Sequence, residues 1–277
     1  MKHFAWPRCL SALTGILTFG SSALLHGQSQ PLASATNQNE ISRPIPLATN
    51  DDFIGDAELR RQWTDRGTPE ESSRTTLRME VAPHEFLSLI RLDIPFIDKD
   101  NGDPLTPKLG DIQNKLVSSH IPLGDVKLDG VFQTTFPTAQ PESLGQGKYQ
   151  LGPGFEFIFP LWGSNRGDAP TSWTAGFKPW VEQNFSVAGS PDFKNINYTY
   201  SELELSAKWK KKLTLKLTPK PVYNWEKDDS GAVIELETDW NFTRRWYADL
   251  VLGHGLWGVG APTTYNSKIL IALGFNF

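Results

Sequence analysis

Residues 268–277 read Lys-Ile-Leu-Ile-Ala-Leu-Gly-Phe-Asn-Phe. Counted back by twos from Phe277, one set is Phe275, Leu273, Ile271 and Ile269, and the alternate set is Asn276, Gly274, Ala272, Leu270 and Lys268. One face is aromatic and aliphatic; the other is small or polar. Successive side chains of a strand point to opposite faces, so this is the period of a strand with lipid on one side and a polar interior on the other.

The same alternation extends upstream. Ile234, Leu236, Trp240 and Phe242 share one face and Glu235, Glu237, Asp239 and Asn241 the other. In the preceding segment Leu213, Leu215, Leu217, Tyr223 and Trp225 oppose Thr214, Lys216, Thr218, Lys220 and Asn224, so the lysines of one strand meet the carboxylates of the next. Lys178 and Glu182 oppose Phe177, Val181 and Phe185, and Glu202 and Glu204 oppose Leu203 and Leu205. A charged ladder of this kind is compensated in a wet lumen and costly in a dry sandwich core. Tryptophans cluster at the strand ends, at 162, 173, 209, 225, 246 and 257, as interfacial girdles require. Turn signals between the strands, with an even number favoured by closure, predict an all-β, transmembrane antiparallel barrel of about 12 strands with both chain ends on the periplasmic side. The alternative with the same periodicity is a soluble β-sandwich or lipocalin-like barrel, in which the apolar faces turn inward. The terminal Phe277, with Phe275, resembles the signal by which outer-membrane proteins are handed to their assembly machinery.

Residues 1–27 carry Lys2 and Arg8, then a mostly apolar run from Leu10 to Leu25, then small residues near Gly27, which reads as a secretory signal peptide. Residues 28–73 open with a Gln, Asn, Ser and Pro-rich stretch and are expected to form a disordered extension or plug, with a short helix over Asp51 to Arg66. The barrel is expected over 74–277. The single cysteine, Cys9, falls in the leader, so the rest holds no disulfide, thiol nucleophile or cysteine metal site. Lys+Arg 27 against Asp+Glu 31 becomes 25 against 31, or −6, once Lys2 and Arg8 are removed, which leaves no basic footprint for nucleic acid.

Leu123-Gly124-Asp125, Thr135-Phe136-Pro137-Thr138-Ala139 and Leu144-Gly145-Gln146-Gly147-Lys148-Tyr149-Gln150-Leu151-Gly152-Pro153-Gly154 follow one another, and Gln183 to Gly189 come later. Read by itself, the block at 144–154 is a turn with positive backbone angles at Gly145 and Gly147, followed by a strand whose Gly152 and Gly154 leave room for a large neighbour. No Gly-Lys-Ser/Thr follows, which argues against a phosphate loop. In this order the motifs resemble the outer-membrane family named for the meta-pathway of phenol degradation, over roughly residues 85–277, with Phe185 standing where that family has Trp. The resemblance implies a transmembrane barrel labelled a transporter and fixes no substrate.

The lumen-lining residues predicted from alternation are Lys178, Glu182, Glu202, Glu204, Lys216, Lys220, Glu235, Glu237 and Asp239. Their paired carboxylates have i, i+2 spacing that acid/base hydrolysis can use, but the interleaved lysines favour an ion-pair network that tunes selectivity. After the leader only His84, His120 and His254 remain, with no Gly-x-Ser-x-Gly, so no enzyme, catalytic residue, metal site or cofactor is expected. A lipid hydrolase built on His254 and Ser267 is the weakest of three readings. The second is a structural barrel that conducts nothing, and the leading one is an outer-membrane channel or transporter for a small molecule, aromatic and apolar classes included. The expected partners are outer-membrane lipid, the assembly machinery and the solute.

Overall fold

The structure is a computed structural model that describes residues 54–68, 71–83, 86–98, 108–162, 173–210 and 212–277. Residues 1–53, with the expected signal peptide and most of the expected extension, lie outside the described residues, as do 99–107 and 163–172, where two of the turn signals fall. Fourteen strands follow in chain order: β1 (Gly55–Thr64), β2 (Ser72–Val81), β3 (Leu87–Asp98), β4 (Lys108–Leu109), β5 (Ile112–Ser118), β6 (Ile121–Leu123), β7 (Val126–Phe136), β8 (Lys148–Trp162), β9 (Trp173–Gly189), β10 (Asn197–Trp209), β11 (Leu213–Asn224), β12 (Asp229–Asn241), β13 (Trp246–Trp257) and β14 (Ser267–Asn276). The short β4 and β6 edge onto β3 and β7. The other twelve form one antiparallel wall in sequence order, and β14 pairs back onto β1, which closes the barrel. No helix among the described residues is long and apolar enough to cross a membrane.

Burial along β14 decides which face looks out. Ile271 and Leu273 are 51% and 50% exposed, whereas Leu270 and Ala272 are 3% and 2% exposed. The apolar face is therefore outside, the reverse of a soluble sandwich. Aromatic side chains band the outside at both rims. On the rim that carries Gly55 and Asn276, Trp173 stacks on Trp209 at 6.3 Å and Trp246 meets Phe275 edge-on at 5.0 Å. At the opposite rim, Tyr223 packs on Trp225 at 4.6 Å and Phe136 on Tyr149 at 6.4 Å.

The start of the barrel corrects the sequence expectation. The stretch from Asp51 to Arg66 is read above as a short helix within an extension, and the barrel as starting at residue 74; instead Gly55–Thr64 is the first wall strand. Asp56, Glu58, Arg60 and Gln62 face inward from it and Ala57, Leu59 and Trp63 outward, in register with Asn276 to Lys268 of β14. The alternation is obscured by Arg61, a cation on the outward face. Arg61 is held by an ion pair to Asp98 and donates to Thr75 Oγ1 (2.9 Å) and Ser73 Oγ (3.1 Å), which satisfies the guanidinium outside the lumen.

The seam is fastened at both ends. Ile54 N and Gly55 N donate to Phe277 O at 2.9 and 3.2 Å, and Phe277 N donates to Gly55 O at 2.9 Å. At the other end, Asp65 Oδ1 accepts Asn266 N (2.6 Å) and Ser267 N (2.8 Å). Between them Tyr247 fills the space that Gly274 leaves, since a Cβ there would lie 1.9 Å from its ring. Because Leu59 faces the apolar surroundings mid-strand, Leu59→Arg is expected to destabilise the folded barrel by about 2–4 kcal/mol. Urea unfolding in phospholipid vesicles measures this, and a neutral result would return β1 to a soluble extension.

Candidate functional site: the charged lumen

Inward positions come from every second residue of each wall strand, and they surround a cavity of ≈490 Å³. Among the described residues, nine Lys or Arg and eleven Asp or Glu line it. Charges at this density inside one wall stand only if opposite signs meet, and the register brings them together. Lys216 Nζ on β11 lies 2.5 Å from Glu237 Oε1 and 2.8 Å from Asp239 Oδ2 on β12. Lys220 Nζ bridges β10 and β12, 2.9 Å from both Glu202 and Glu235. Glu235 also takes Lys268 Nζ of β14 at 2.6 Å and the Tyr265 hydroxyl at 2.5 Å. Lys178 on β9 sits between Glu156 (3.6 Å) and Glu204 (3.7 Å). These contacts form a zigzag of alternating charge across β8 to β14.

Of the nine residues predicted from the sequence, Lys178, Glu202, Glu204, Lys216, Lys220, Glu235 and Glu237 line the cavity. Glu182 and Asp239 also face inward but are buried in the wall beneath it. Glu182 accepts from Asn184 Nδ2 at 2.6 Å and occupies the space over Gly152, where a Cβ would meet its carboxylate at 2.5 Å. This is the room that the glycine was expected to provide.

An entire opposing wall was not anticipated. On β1 to β3, Arg78 grips Asp93 with two bonds, Nε to Oδ1 at 2.7 Å and Nη2 to Oδ2 at 2.8 Å. Arg91 is paired with Glu80, and Arg60 lies 3.4 Å from Glu58. Arg74, exposed to the cavity, donates to Gln62 Oε1 at 3.1 Å. The signal was present in Thr76-Leu77-Arg78-Met79-Glu80-Val81, whose even-numbered residues are all polar.

The interior is not charged throughout. Leu89, Val117 and Val131 face inward on neighbouring strands and pack with Trp180 into a buried cluster flanked by Tyr200. The glycine block forms part of the rim. Asp111 accepts Ala139 N (3.2 Å) and Gln146 N (2.6 Å), which fastens the 137–147 connection so that Leu144, Gly145 and Gln146 line the cavity. Gly147 has a φ of 62° as expected, but Gly145, at −117°, does not. Gly145 is needed for space, because a Cβ there would lie 2.3 Å from Asp111 Oδ1. His254 and Ser267 are register partners on the outward face, and no hydrogen bond joins them among the described residues.

No family model matches this chain, and no curated protein does. Solved structures do match in fold. A structure described as the NanC porin has a TM-score of 0.52 at 11% identity, covering 80% of this chain and 98% of its own. An outer membrane channel from Pseudomonas putida F1 has a TM-score of 0.57 at 11% identity, covering 88% of this chain and 100% of its own. The fold is thus that of outer-membrane barrels.

The ladder makes a quantitative demand. Lys216→Met would leave Glu237 and Asp239 facing each other with no cation between them, and is expected to cost about 3–5 kcal/mol. Denaturant unfolding of the reconstituted barrel reads this value. A loss near zero would show that water, not Lys216, compensates the two carboxylates.

Proposed function

We propose that the protein is an outer-membrane channel for small water-soluble solutes. The observation that carries this reading is the pairing of an apolar, aromatic-banded exterior with a ≈490 Å³ interior lined, among the described residues, by twenty acidic and basic side chains. An exterior of this kind suits lipid, and a closed barrel is one of the two architectures that satisfy every backbone group there. An interior of this kind holds water and hydrated solutes and would repel a dry apolar cargo. This reading favours polar solutes, among them aromatic molecules that carry a charged or polar group, over apolar ones. The likeness to a porin and a channel in fold, and the motif resemblance over residues 85–277, support the same reading.

Neighbouring fixed charges of both signs set which ions pass a narrow lumen. Of the nine lining cations, seven have a carboxylate within 4 Å, and Arg74 is one of the two that do not among the described residues. Its charge is thus the most exposed to a passing ion.

A second reading is favoured by the buried cluster around Trp180: a barrel whose side chains fill it and which conducts nothing. Planar bilayers separate the two. Purified, heat-modifiable protein is expected to give discrete current steps in KCl, and Arg74→Glu to shift the reversal potential in a salt gradient toward cation preference. Silent membranes with correctly folded protein would leave the structural reading standing.

A further inference from the structure

In a lumen where cations are consumed by carboxylates, one place has donors with nothing to donate to. Lys115, on β5, is 91% buried yet lines the cavity, and among the described residues no carboxylate lies within 4 Å of its ammonium. Its contact is the ring of Trp180, with Nζ 3.6 Å from the centroid. Trp180 is equally buried and also lines the cavity, and its indole N–H has no acceptor. A buried donor left unsatisfied costs about 1–3 kcal/mol, and the Trp180 N–H beside an ammonium that meets no carboxylate marks the position of a missing acceptor.

The neighbours define what that acceptor is. Arg91, the register partner of Lys115 on β3, is paired with Glu80, and Gln133 of β7 flanks the other side. Across the lumen, Glu156 and Glu204 are engaged by Lys178 and Glu202 by Lys220. Glu182 is tied to Asn184. Glu156, Glu202 and Glu204 are thus each held by a lysine, Glu182 keeps Oε2 without a hydrogen-bond partner, and Lys115 is a cation that no carboxylate reaches within 4 Å among the described residues. Nor can a planar solute stack on the indole: Lys115 covers one face, and Tyr200 meets the ring edge-on at 5.7 Å. Recognition must come from the N–H and the ammonium. Leu89, Val117 and Val131 back Trp180 and hold it rigid.

Resting on the reading of the lumen as a passage, we infer that Lys115 and Trp180 form a carboxylate subsite, so that the solutes held in transit are small organic acids. The acid binds through its oxyanion to the Lys115 ammonium and the Trp180 Nε1–H.

Calorimetric titration of the whole, detergent-folded protein with sodium benzoate and with uncharged benzamide tests this, heat-modifiable mobility serving as the folding check. Benzoate is expected to bind with one site per chain and benzamide at least about tenfold more weakly. Lys115→Gln is expected to weaken benzoate at least about tenfold, Trp180→Phe, which keeps the ring and removes the donor, several-fold, and Lys115→Arg little. Equal binding of the two probes, unchanged benzoate affinity in Lys115→Gln, or no binding to the wild type would each overturn the subsite. Should Lys115→Gln fail to fold, unchanged affinity in Trp180→Phe would do so. Because binding is read without current, silent bilayers with intact benzoate binding would defeat the channel and leave the subsite, whereas current steps without binding would do the reverse.

Discussion

Charge compensation across strands is the constraint on which the interior depends. The wall strands deliver many polar side chains inward, and a closed wall gives them nowhere else to go. An ionised group removed from water costs several kcal/mol unless it is met by an opposite charge in good geometry. The register supplies that geometry: Lys216 falls opposite Glu237 because β11 and β12 are aligned residue for residue, and Arg78 falls opposite Asp93 through β2 and β3 in the same way. A slip of one residue in either hairpin would turn these charges to the outside and bring leucines in. The ion pairs thus fix register as well as filling the lumen.

The two halves of the lumen solve this in different chemistries. Across β9 to β14 the cations are lysines; Lys178, Lys216 and Lys220 each reach two carboxylates and Lys268 shares Glu235 with Lys220, so that no single pair is isolated. Across β1 to β3 they are arginines, and the fork of Arg78 matches the two oxygens of Asp93. Lysine suits the first arrangement because its compact ammonium can sit between two strands; arginine suits the second because its planar head makes a directed pair and leaves a stiff wall.

Much of this was legible in the sequence. The strand number follows from the turn signals and from closure, and the outward girdle and seven of the cavity-lining residues from period-two alternation, because lipid and lumen impose opposite demands on neighbouring residues. What was not legible traces to breaks in that rule. Arg61 puts a cation on the outer face of β1, and its compensation comes from Asp98 on β3, which no local pattern reveals. Trp180 is an aromatic on the inner face, where the alternation leads one to expect polar groups. Gly145 has ordinary backbone angles, and its requirement for a bare Cα comes from Asp111, a partner 34 positions earlier in the chain.

The seam between the first and last strands has a consequence for how the molecule forms. Asp65 and the backbone it holds at Asn266 and Ser267 are 201 and 202 residues apart in sequence, whereas every other wall pairing joins consecutive wall strands. Contacts at such separation are slow to make, since the entropy of closing a long loop is lost before any bond rewards it. Until β14 docks, β1 and β13 both present a row of free N–H and C=O groups, the kind of edge that templates association with another chain. The most vulnerable species on the folding route is therefore a nearly complete curved sheet, and its lifetime is set by the one encounter that joins the two ends of the sequence.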